Sequence, residues 1–416
     1  MRTVAVVGKN FGDEGKGLAV DFLSLNSCKA LVVRHNGGAQ SGHTVQLRGE
    51  IPAEKGGTCE EKRFVFHELS SGSIRHAGTL WIDSFYPDLY KLGEEMSDFF
   101  EEFGFVPEIY AMEGTCVTIP DDVLLNMALE SSRGSDRHGS CGMGINECDI
   151  RTGAGFGLSL REISDMDSEG LYRRLTEIRK NHTAMRLREI SNGLTAQASG
   201  YIELLRNENV LGNAAETMVE NFKHIKLLSD AELKHLLDDV DTLIFESGQG
   251  LLLDCDNERF MPHVTASKTG IYNPCRFLKR LGLHLDEVIY ISRAYVTRHG
   301  AGELPCECCR ERLGMIQKDR TNEPNEWQGH IRYGTHVDEE DFVTSIRDDM
   351  IKNSYNKLKV SLLLTHLNET ENMILFKDRN MTISEFRESP PIKGLFFNIY
   401  LSDTPYAEDV TKVASN

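Results

Sequence analysis

The chain lacks several features that would assign it to whole classes of protein. Positive charge is scarce: Lys and Arg total 46 against 64 Asp and Glu, which gives a net charge of −18 over 416 residues. Proteins that wrap a nucleic-acid polymer neutralise its phosphates with cations, so this balance argues against DNA or RNA as a partner. Small anionic ligands stay open, because they need only a local pocket of donors.

Long hydrophobic runs are also missing. No stretch approaches the roughly 20 apolar residues that a membrane helix requires, and residues 1–10 lack the apolar core of a secretory signal. The ten cysteines are scattered, so we expect reduced thiols in a cytoplasmic protein with no membrane partner. Only Cys306, Cys308 and Cys309 are clustered, and the absence of a second ligand pair at zinc spacing argues against a structural metal.

Internal repeats and low-complexity linkers are absent as well. Short apolar segments typical of buried strands alternate with helical stretches, of which the longest are residues 160–189 and 201–237. This alternation predicts an α/β protein with a mainly parallel central sheet and helical insertions, and nothing marks a boundary within a single domain over residues 1–416. The predicted strands are residues 3–7, 30–34, 108–112, 241–246, 288–291 and 360–364.

A glycine-rich turn follows the first predicted strand and leads into a helix from Lys16. It is close to a Walker A loop, but Asn10 and Gly17 occupy the places where that pattern has Gly and Ser or Thr. Glycines let backbone N–H groups converge on a phosphate at a helix N-terminus, and Lys16 adds positive charge. Because the hydroxyl that normally holds Mg²⁺ is missing, we expect the carboxylate of Asp13 to replace it.

A second glycine loop, residues 37–44, follows the second predicted strand and contains His43. Parallel strands end at a common edge of the sheet, where ligands bind, so we expect His43 to lie near the first loop. A lone histidine is commonly structural, and from this pattern alone a structural and a catalytic role both stay open.

Six blocks of sequence, in order, resemble those of the adenylosuccinate synthetase family, and with the first strand they extend from residue 3 to about residue 370. They are residues 11–17 (Phe-Gly-Asp-Glu-Gly-Lys-Gly), 37–45 (Gly-Gly-Ala-Gln-Ser-Gly-His-Thr-Val), 67–72 (His-Glu-Leu-Ser-Ser-Gly), 140–145 (Ser-Cys-Gly-Met-Gly-Ile), 245–250 (Phe-Glu-Ser-Gly-Gln-Gly) and 295–302 (Tyr-Val-Thr-Arg-His-Gly-Ala-Gly).

The resemblance implies a ligase that condenses inosinate (IMP) with L-aspartate, using a nucleoside triphosphate and Mg²⁺, in a large α/β fold that forms a homodimer. The purine C6=O is a poor electrophile, so it first becomes a 6-phosphoryl ester. Asp13 would remove the N1 proton and hold Mg²⁺ with the Gly42 carbonyl, and His43 would stabilise charge on O6. Lys16 and the loop amides would position the phosphates.

The resemblance also implies binding residues for each ligand. Those expected to hold the nucleoside triphosphate are Gly12, Asp13, Glu14, Gly15, Lys16, Gly17, Gly42, Thr44, His366 and Asn368. Those expected to hold the purine nucleotide are Gln40, Ser140, Cys141, Arg151, Gln249, Thr265 and His330, and those for aspartate are Gln328 and Arg332. Arg151 would cross the dimer interface, but its spacing from Gly142 is shorter than in the family, so an ordinary surface arginine stays open.

Three departures from the family pattern bear on specificity. His330 stands where the family has an arginine near the ribose 2′-hydroxyl, while Arg332 keeps the bidentate geometry that suits a carboxylate. Asn368 replaces the aspartate that reads guanine; its one acceptor and two donors suit adenine better, so we expect ATP to be accepted. With residues 138–141, these changes resemble a phage-associated branch acting on deoxyguanylate, although some members of that branch lose the loop aspartate, which is present here.

Alternatives therefore remain for both substrate and class. IMP is the leading acceptor, and GMP or dGMP with ATP, giving 2-amino-N6-succinyl-(d)AMP, is the alternative. A non-catalytic nucleotide-binding paralogue would share the fold, but a pure binder has no need for Asp13, Lys16 and His43 together. A simple NTPase switch would leave the second loop and the block around Gln249 without a purpose.

Overall fold

A ten-stranded sheet runs through the molecule. The computed structural model describes residues 1–48, 61–134, 139, 141–314, 329–353 and 358–413. In chain order the strands are β1 Arg2–Gly8, β2 Ala30–Arg34, β3 Gly37–Gly38, β4 His43–Leu47, β5 Lys62–Phe66, β6 Gly78–Trp81, β7 Phe85–Tyr86, β8 Ile109–Met112, β9 Ile225–Leu228, β10 Thr242–Gly250, β11 Glu287–Arg293, β12 Val296–Arg298, β13 Glu307–Cys308, β14 Arg332–Gly334, β15 Lys359–Thr365, β16 Met373–Leu375, β17 Asn380–Thr382, β18 Asn398–Leu401 and β19 Thr411–Lys412.

Helices cover the two faces of the sheet and form an insertion between β8 and β9. They are α1 Lys16–Leu25, α2 Leu89–Phe103, α3 Pro120–Arg133, α4 Ile145–Arg151, α5 Leu160–Ser164, α6 Ser168–Ile178, α7 Ala184–Ile190, α8 Ser199–Arg206, α9 Glu208–Phe222, α10 Asp230–Leu237, α11 Tyr272–Leu281, α12 Glu339–Lys352 and α13 Ile383–Glu388. Within the described part of the chain, none of them combines the length and apolar character that a bilayer crossing requires.

The order of strands in the large sheet is β19-β18-β15-β11-β1-β10-β2-β6-β8-β9. Neighbours are parallel throughout except at the β18–β19 edge, which is antiparallel. The predicted α/β class with a mainly parallel sheet is therefore confirmed, and each of the six predicted strands is present. In such sheets a ligand binds beyond the carboxyl ends of the strands.

The strand β1 lies at the centre because its side chains are apolar on both faces. Val4, Ala5, Val6 and Val7 are fully buried, and β1 pairs with β10 on one side and β11 on the other. Such continuous apolar runs are typical of parallel strands covered by helices on both faces. The apolar core therefore fixes where β1 ends and where the loop after it begins.

The predicted long helical stretches are wrong in detail. Residues 160–189 are divided among α5, α6 and α7 with a π-helical turn between, and residues 201–237 contain β9 between α9 and α10. The four residues of β9 pair with β8 at the edge of the sheet. A strand this short has no periodicity of its own, and only its packing against β8 distinguishes it from the flanking helices.

Candidate active site

A cavity of about 1140 Å³ opens at the carboxyl ends of the central strands. It exceeds the roughly 300–1,000 Å³ of ordinary ligand pockets, which leaves room for more than one ligand. Most of the predicted site residues line it. They are Gly12, Asp13, Gly15, Lys16, Gly17, Gln40, Gly42, His43, Thr44, Cys141, Gln249, Thr265, His366 and Asn368.

The first loop is folded around the carboxylate of Glu14. Oε1 of Glu14 accepts hydrogen bonds from the backbone N–H groups of Asn10 (3.0 Å) and Gly12 (2.8 Å), and Oε2 lies 2.9 Å from Lys16 Nζ. A side chain at Gly8 would collide with this carboxylate, since its Cβ would lie 2.3 Å from Oε2. Glu14 does not line the cavity. The carboxylate of Glu14 therefore holds the loop and Lys16, and the prediction that Glu14 binds nucleotide stays a prediction.

Asp13 lies in the same loop in a left-handed conformation, with φ of 61°. Its Oδ2 is 3.2 Å from His299 Nε2, and Arg293 Nε donates to its backbone carbonyl. Burial alone would raise the pKa of the Asp13 carboxyl. The hydrogen bond from His299, with the positive charges nearby, outweighs burial and holds the pKa below its usual value. Asp13 is therefore ionised at neutral pH, and it lines the cavity.

His43 begins β4 and is held by a carboxylate from β10. Its Nδ1 is 2.7 Å from Glu246 Oε1, and Ser71 donates to Glu246 through both its hydroxyl (2.5 Å) and its backbone N–H (3.2 Å). Burial lowers the pKa of His43, and the neighbouring carboxylate only partly opposes it. Burial would raise the pKa of Glu246, but His43 and Arg34 lower it to about 2. The pair is therefore a neutral imidazole on an ionised carboxylate.

This pairing fixes the orientation of the imidazole. Arg34 Nη1 lies 3.2 Å from His43 Nδ1 and 3.3 Å from Glu246 Oε2. Because Nδ1 carries a proton when it donates to Glu246, the guanidinium group pairs with the carboxylate and not with the ring. The other ring nitrogen, Nε2, is buried without a protein hydrogen-bond partner in a side chain that lines the cavity. That nitrogen is available to a ligand.

Two glutamine side chains have unsatisfied amides at the cavity. Both amide atoms of Gln40 and Nε2 of Gln249 are buried without a partner. Gln249 Oε1 accepts from Asn36 Nδ2 at 2.8 Å, which leaves its amino group as the free end. Buried polar groups are nearly always hydrogen-bonded, so these amides indicate a polar ligand that accepts from Gln249.

Arg151 is bound within its own chain. The side chain is fully buried; Nε and Nη2 form a bidentate pair with Asp122 (2.9 and 2.8 Å), and the remaining donors reach the carbonyls of Phe156 and Val117. It does not line the cavity. These contacts favour the alternative of a structural arginine, and the predicted contact across a dimer interface stays a prediction.

Two described residues with predicted roles, Arg332 and His330, do not line the cavity. Arg332, in β14, pairs with Glu307 at 2.8 Å and donates to the Gly302 carbonyl at 2.7 Å. His330 is exposed. Gln328 and Ser140 lie outside the described residues. The roles predicted for all four residues stay predictions.

His366 and Asn368 follow β15 and line the cavity. His366 adopts φ of 57°, and its Nδ1 lies 2.9 Å from Thr365 Oγ1. Burial, with the positive charge of Arg293, lowers the pKa of His366 well below its usual value, so the ring is neutral. Thr365 in turn donates to the Glu14 carbonyl at 2.7 Å. This part of the cavity lining is tied directly to the phosphate loop.

Four site residues escaped the sequence analysis: Arg293 and His299, which line the cavity, and Arg34 and Glu246, which are buried behind His43. Glu246, within β10, and His299, directly after β12, lie in recognised blocks, but nothing local marks them as partners of His43 and Asp13. Their sequence separations from those partners are about 200 and 290 residues. The one usable indication is position, since charged residues at the carboxyl end of a buried parallel strand lie at the ligand edge.

The residues present suit a magnesium ion. Mg²⁺ prefers oxygen ligands and usually binds through one or two carboxylates together with substrate phosphates. Asp13 offers an ionised carboxylate, and Gly42, also in the lining, offers a backbone carbonyl. The hydrogen bond from His299 to Asp13 is the kind of outer contact that orients a metal-binding carboxylate.

The fold and cavity together define an α/β protein with a glycine-rich loop, an ionised carboxylate and a carboxylate-held histidine at one edge of its central sheet. A sequence model of the adenylosuccinate synthetase family matches residues 5–338. The chain belongs to the adenylosuccinate synthetase family.

Curated relatives carry the same name at moderate identity. The chain is 29% identical over 317 residues to the adenylosuccinate synthetase of Shewanella woodyi, covering 74% of this chain and 65% of the relative. It is 29% identical over 313 residues to that of Photobacterium profundum, covering 73% of this chain and 64% of the relative. The matched segment thus spans slightly less than two thirds of these relatives.

Solved structures share the fold. Fully ligated adenylosuccinate synthetase of Plasmodium falciparum superposes with a TM-score of 0.65 at 17% identity, covering 99% of this chain and 87% of that one. Succinoaminodeoxyadenylate synthetase of cyanophage S-2L, bound to dGMP and to dATP as an energy donor, superposes with a TM-score of 0.60 at 15% identity, covering 100% and 96%.

Proposed function

We propose that the protein is a C–N bond-forming ligase that condenses a 6-oxopurine nucleotide with L-aspartate at the expense of a nucleoside triphosphate. The observation that carries this proposal is the convergence of Asp13, Lys16 and His43 on one cavity. A protein that only bound nucleotide would need the cation but not an oriented base and an oriented imidazole. A family member without activity is the alternative of another class.

Each of these residues has a distinct task in the proposed reaction. Asp13 takes the N1 proton of the purine while O6 attacks the γ-phosphorus, and the nucleoside diphosphate leaves. His43 takes up a proton when the nucleotide binds, so that Nε2–H donates to O6, and Glu246 balances the charge that the imidazole gains. The aspartate amine then attacks C6, phosphate departs with the C–O electrons, and a C–N bond has replaced the C–O bond.

Lys16 and the loop amides hold the phosphates in line for transfer, since phosphoryl transfer depends mainly on positioning and charge neutralisation. Mg²⁺, when bound at Asp13 and Gly42, supplies further neutralisation of phosphate charge. The ion pair with Glu14 keeps Lys16 extended along the loop. That pair also lowers the cost of burying an ammonium group before the nucleotide arrives.

IMP is the leading acceptor, and the product would be adenylosuccinate in purine nucleotide biosynthesis. The free amino group of Gln249 supports an oxo group on the purine, because it can only donate. Inosine and guanine both carry that oxo group, so GMP or dGMP is the second candidate. The departures at His330 and Asn368 favour the second candidate, as does the likeness to a phage enzyme bound to dGMP.

For the donor, ATP is expected to be accepted and to be preferred over GTP. Asn368 is exposed in the cavity lining at the end of β15. Its amide matches the donor and acceptor of the adenine edge, whereas a carboxylate there would accept from guanine N1–H and N2–H₂ together. Initial rates with each triphosphate test this expectation, and strict dependence on GTP would contradict it.

Aspartate binding by Gln328 and Arg332, and purine nucleotide binding by Ser140 and His330, remain part of the proposal. We also propose a homodimer in the cytoplasm, in keeping with the free thiols of the described cysteines. Arg151 is not offered as the dimer contact, since its guanidinium is bound internally.

The decisive experiment incubates the protein with aspartate and Mg²⁺, crossing IMP, GMP and dGMP against ATP and GTP. Phosphate release measures turnover, and the mass of the product identifies the acceptor. Condensation with at least one pair, lost in Asp13→Ala and His43→Ala, supports the proposal. Nucleotide binding without product in any combination would leave the non-catalytic alternative, and activity retained in both variants would refute the assigned mechanism.

A further inference from the structure

One contact at the cavity has no part in the mechanism above. His299 Nε2 lies 3.2 Å from Asp13 Oδ2, and the two side chains are 17% and 29% exposed. The imidazole arrives from the turn that follows β12, which belongs to the small three-stranded sheet and not to the large one. Two separate parts of the fold therefore meet at the loop carboxylate.

Asp13 needs such support because its own backbone does not fix the side chain. It lies between Gly12 and Gly15, which have φ of 103° and 96°, and is itself left-handed at 61°. Non-glycine residues in that region are held there by their surroundings. Arg293 bonds the Asp13 carbonyl and so holds the backbone, while His299 holds one carboxylate oxygen.

The turn that carries His299 is itself firmly held. The neighbouring Arg298 is buried and donates to the backbone carbonyls of Glu303 (2.6 Å) and His263 (2.8 Å). Gly300, with φ of 70°, packs so closely that a Cβ there would lie 3.1 Å from the Cα of Gly139. A histidine on a rigid turn is suited to fixing the carboxylate that it touches.

We propose that His299 is a positioning residue: it binds Oδ2 of Asp13 and thereby fixes the orientation of the carboxylate that takes the purine N1 proton and contributes to the Mg²⁺ site. The expected effect of His299 on kcat rests on the proposed function. Its expected effect on Mg²⁺ binding can be measured without turnover. Partners of a metal-binding carboxylate typically contribute about 10- to 100-fold to metal affinity or activity. His299 is expected to act in that range.

The test compares His299→Leu, which removes the donor at similar size, with His299→Gln, whose amide keeps an N–H near the position of Nε2. His284→Leu is the matched control, because His284 Nε2 makes a similar 3.0 Å contact with Asp286 before β11, at the opposite edge of the sheet. We expect His299→Leu to lower kcat about 100-fold, with a KM for the purine nucleotide close to that of the wild type. His299→Gln recovers most of kcat, and the control is unchanged.

A second measurement does not depend on turnover. Calorimetric titration of Mg²⁺ into the protein with bound triphosphate should give about 10-fold weaker binding in His299→Leu than in wild type or His299→Gln. Wild-type kcat and Mg²⁺ affinity in His299→Leu would overturn the inference. Equal losses of kcat and Mg²⁺ affinity in His299→Leu and His299→Gln, together with a lower Tm in both, would also overturn it, because they would indicate a structural role. If the wild type makes no product, the proposed function fails while the titration still decides the role of His299.

Discussion

Two loops at the same edge of the sheet present a titratable side chain to the cavity, and they support it differently. The loop after β1 carries Asp13, whose side chain is 29% exposed and whose partner reaches over from a separate small sheet. The loop after β2 leads to His43, which is 5% exposed and is held by a fully buried carboxylate of the central sheet. The first support lies at the cavity wall, and the second lies in the core.

Because of this difference, we expect substitution of Asp13 to affect mainly activity, whereas substitution of Glu246 should affect both activity and stability. Asp13 can lose its charge without leaving a buried partner uncompensated, because His299 is partly exposed. Glu246 cannot lose its charge in this way, because it neutralises the buried guanidinium of Arg34 and also orients His43. Breaking a buried ion pair by removing one partner is strongly destabilising, whereas a surface contact costs little. The four predictions below test that contrast.

The largest effect is expected from Asp13→Asn, which keeps the shape of the side chain and removes its charge. The kcat for condensation should fall about 1,000-fold or more, because the variant loses its proton acceptor. The free energy of unfolding should fall by only about 1 kcal/mol, because the charge of Asp13 is paired at the cavity wall and not in the core. Phosphate release and urea unfolding measure the two quantities. If the free energy of unfolding fell by as much as the activation free energy rose, the two loops would not differ in the way described.

Glu246→Gln should lower both quantities. The amide cannot neutralise Arg34, so the free energy of unfolding should fall by about 3 kcal/mol. The kcat should fall about 100-fold, because His43 loses the charge that orients it and balances its proton. Urea unfolding at neutral pH, with Asp13→Asn measured alongside, gives the comparison. Unchanged stability in Glu246→Gln would show that the buried network is not what holds the second loop.

The pH dependence of stability should differ between wild type and Glu246→Gln. The pKa of Glu246 is about 2 when folded, against an ordinary value of 4.5. A lowered carboxyl pKa stabilises the fold above pH 4.5, and this contribution is lost as pH falls towards 2. The stability gap between the two proteins should therefore narrow by about 2 kcal/mol between pH 7 and pH 3. A gap independent of pH would contradict the assignment of charge to Glu246.

The smallest effect is expected at the end of β15, where Asn368 is exposed to the cavity. Asn368→Asp should shift the ratio of kcat/KM for ATP and GTP towards GTP by about 10-fold, since a carboxylate accepts both guanine donors. Stability and the acceptor preference should stay as in the wild type. Competition between the two triphosphates in one assay measures the ratio directly. A general loss of activity with both donors would place Asn368 outside base recognition.

Much of the cavity could be predicted from local sequence. Local patterns predicted the strand before Gly8, the glycine loop and the start of α1 at Lys16. They could do so because strand burial, turn conformation and helix capping depend on neighbouring residues. The family resemblance then located Gln40, Gln249 and Thr265. These residues do line the cavity.

Other features depended on contacts in the folded chain. Asp122, which forms the bidentate pair with Arg151, lies 29 residues away, and nothing near Arg151 in the sequence indicates it. The partners of the Glu14 carboxylate are close in sequence, but only the folded loop shows that the carboxylate binds them. β9 was missed because a four-residue strand has no pattern until β8 lies beside it.

By itself, the sequence determined the parallel α/β class, the phosphate loop and the family, since these depend on short patterns and their order. Only the tertiary structure decided which charged side chains face the cavity and which are paired with other groups of the protein. It paired His43 with Glu246 and Asp13 with His299, across hundreds of residues. Such pairs form because strands distant in sequence end at one edge of a sheet, and buried charges there must find partners.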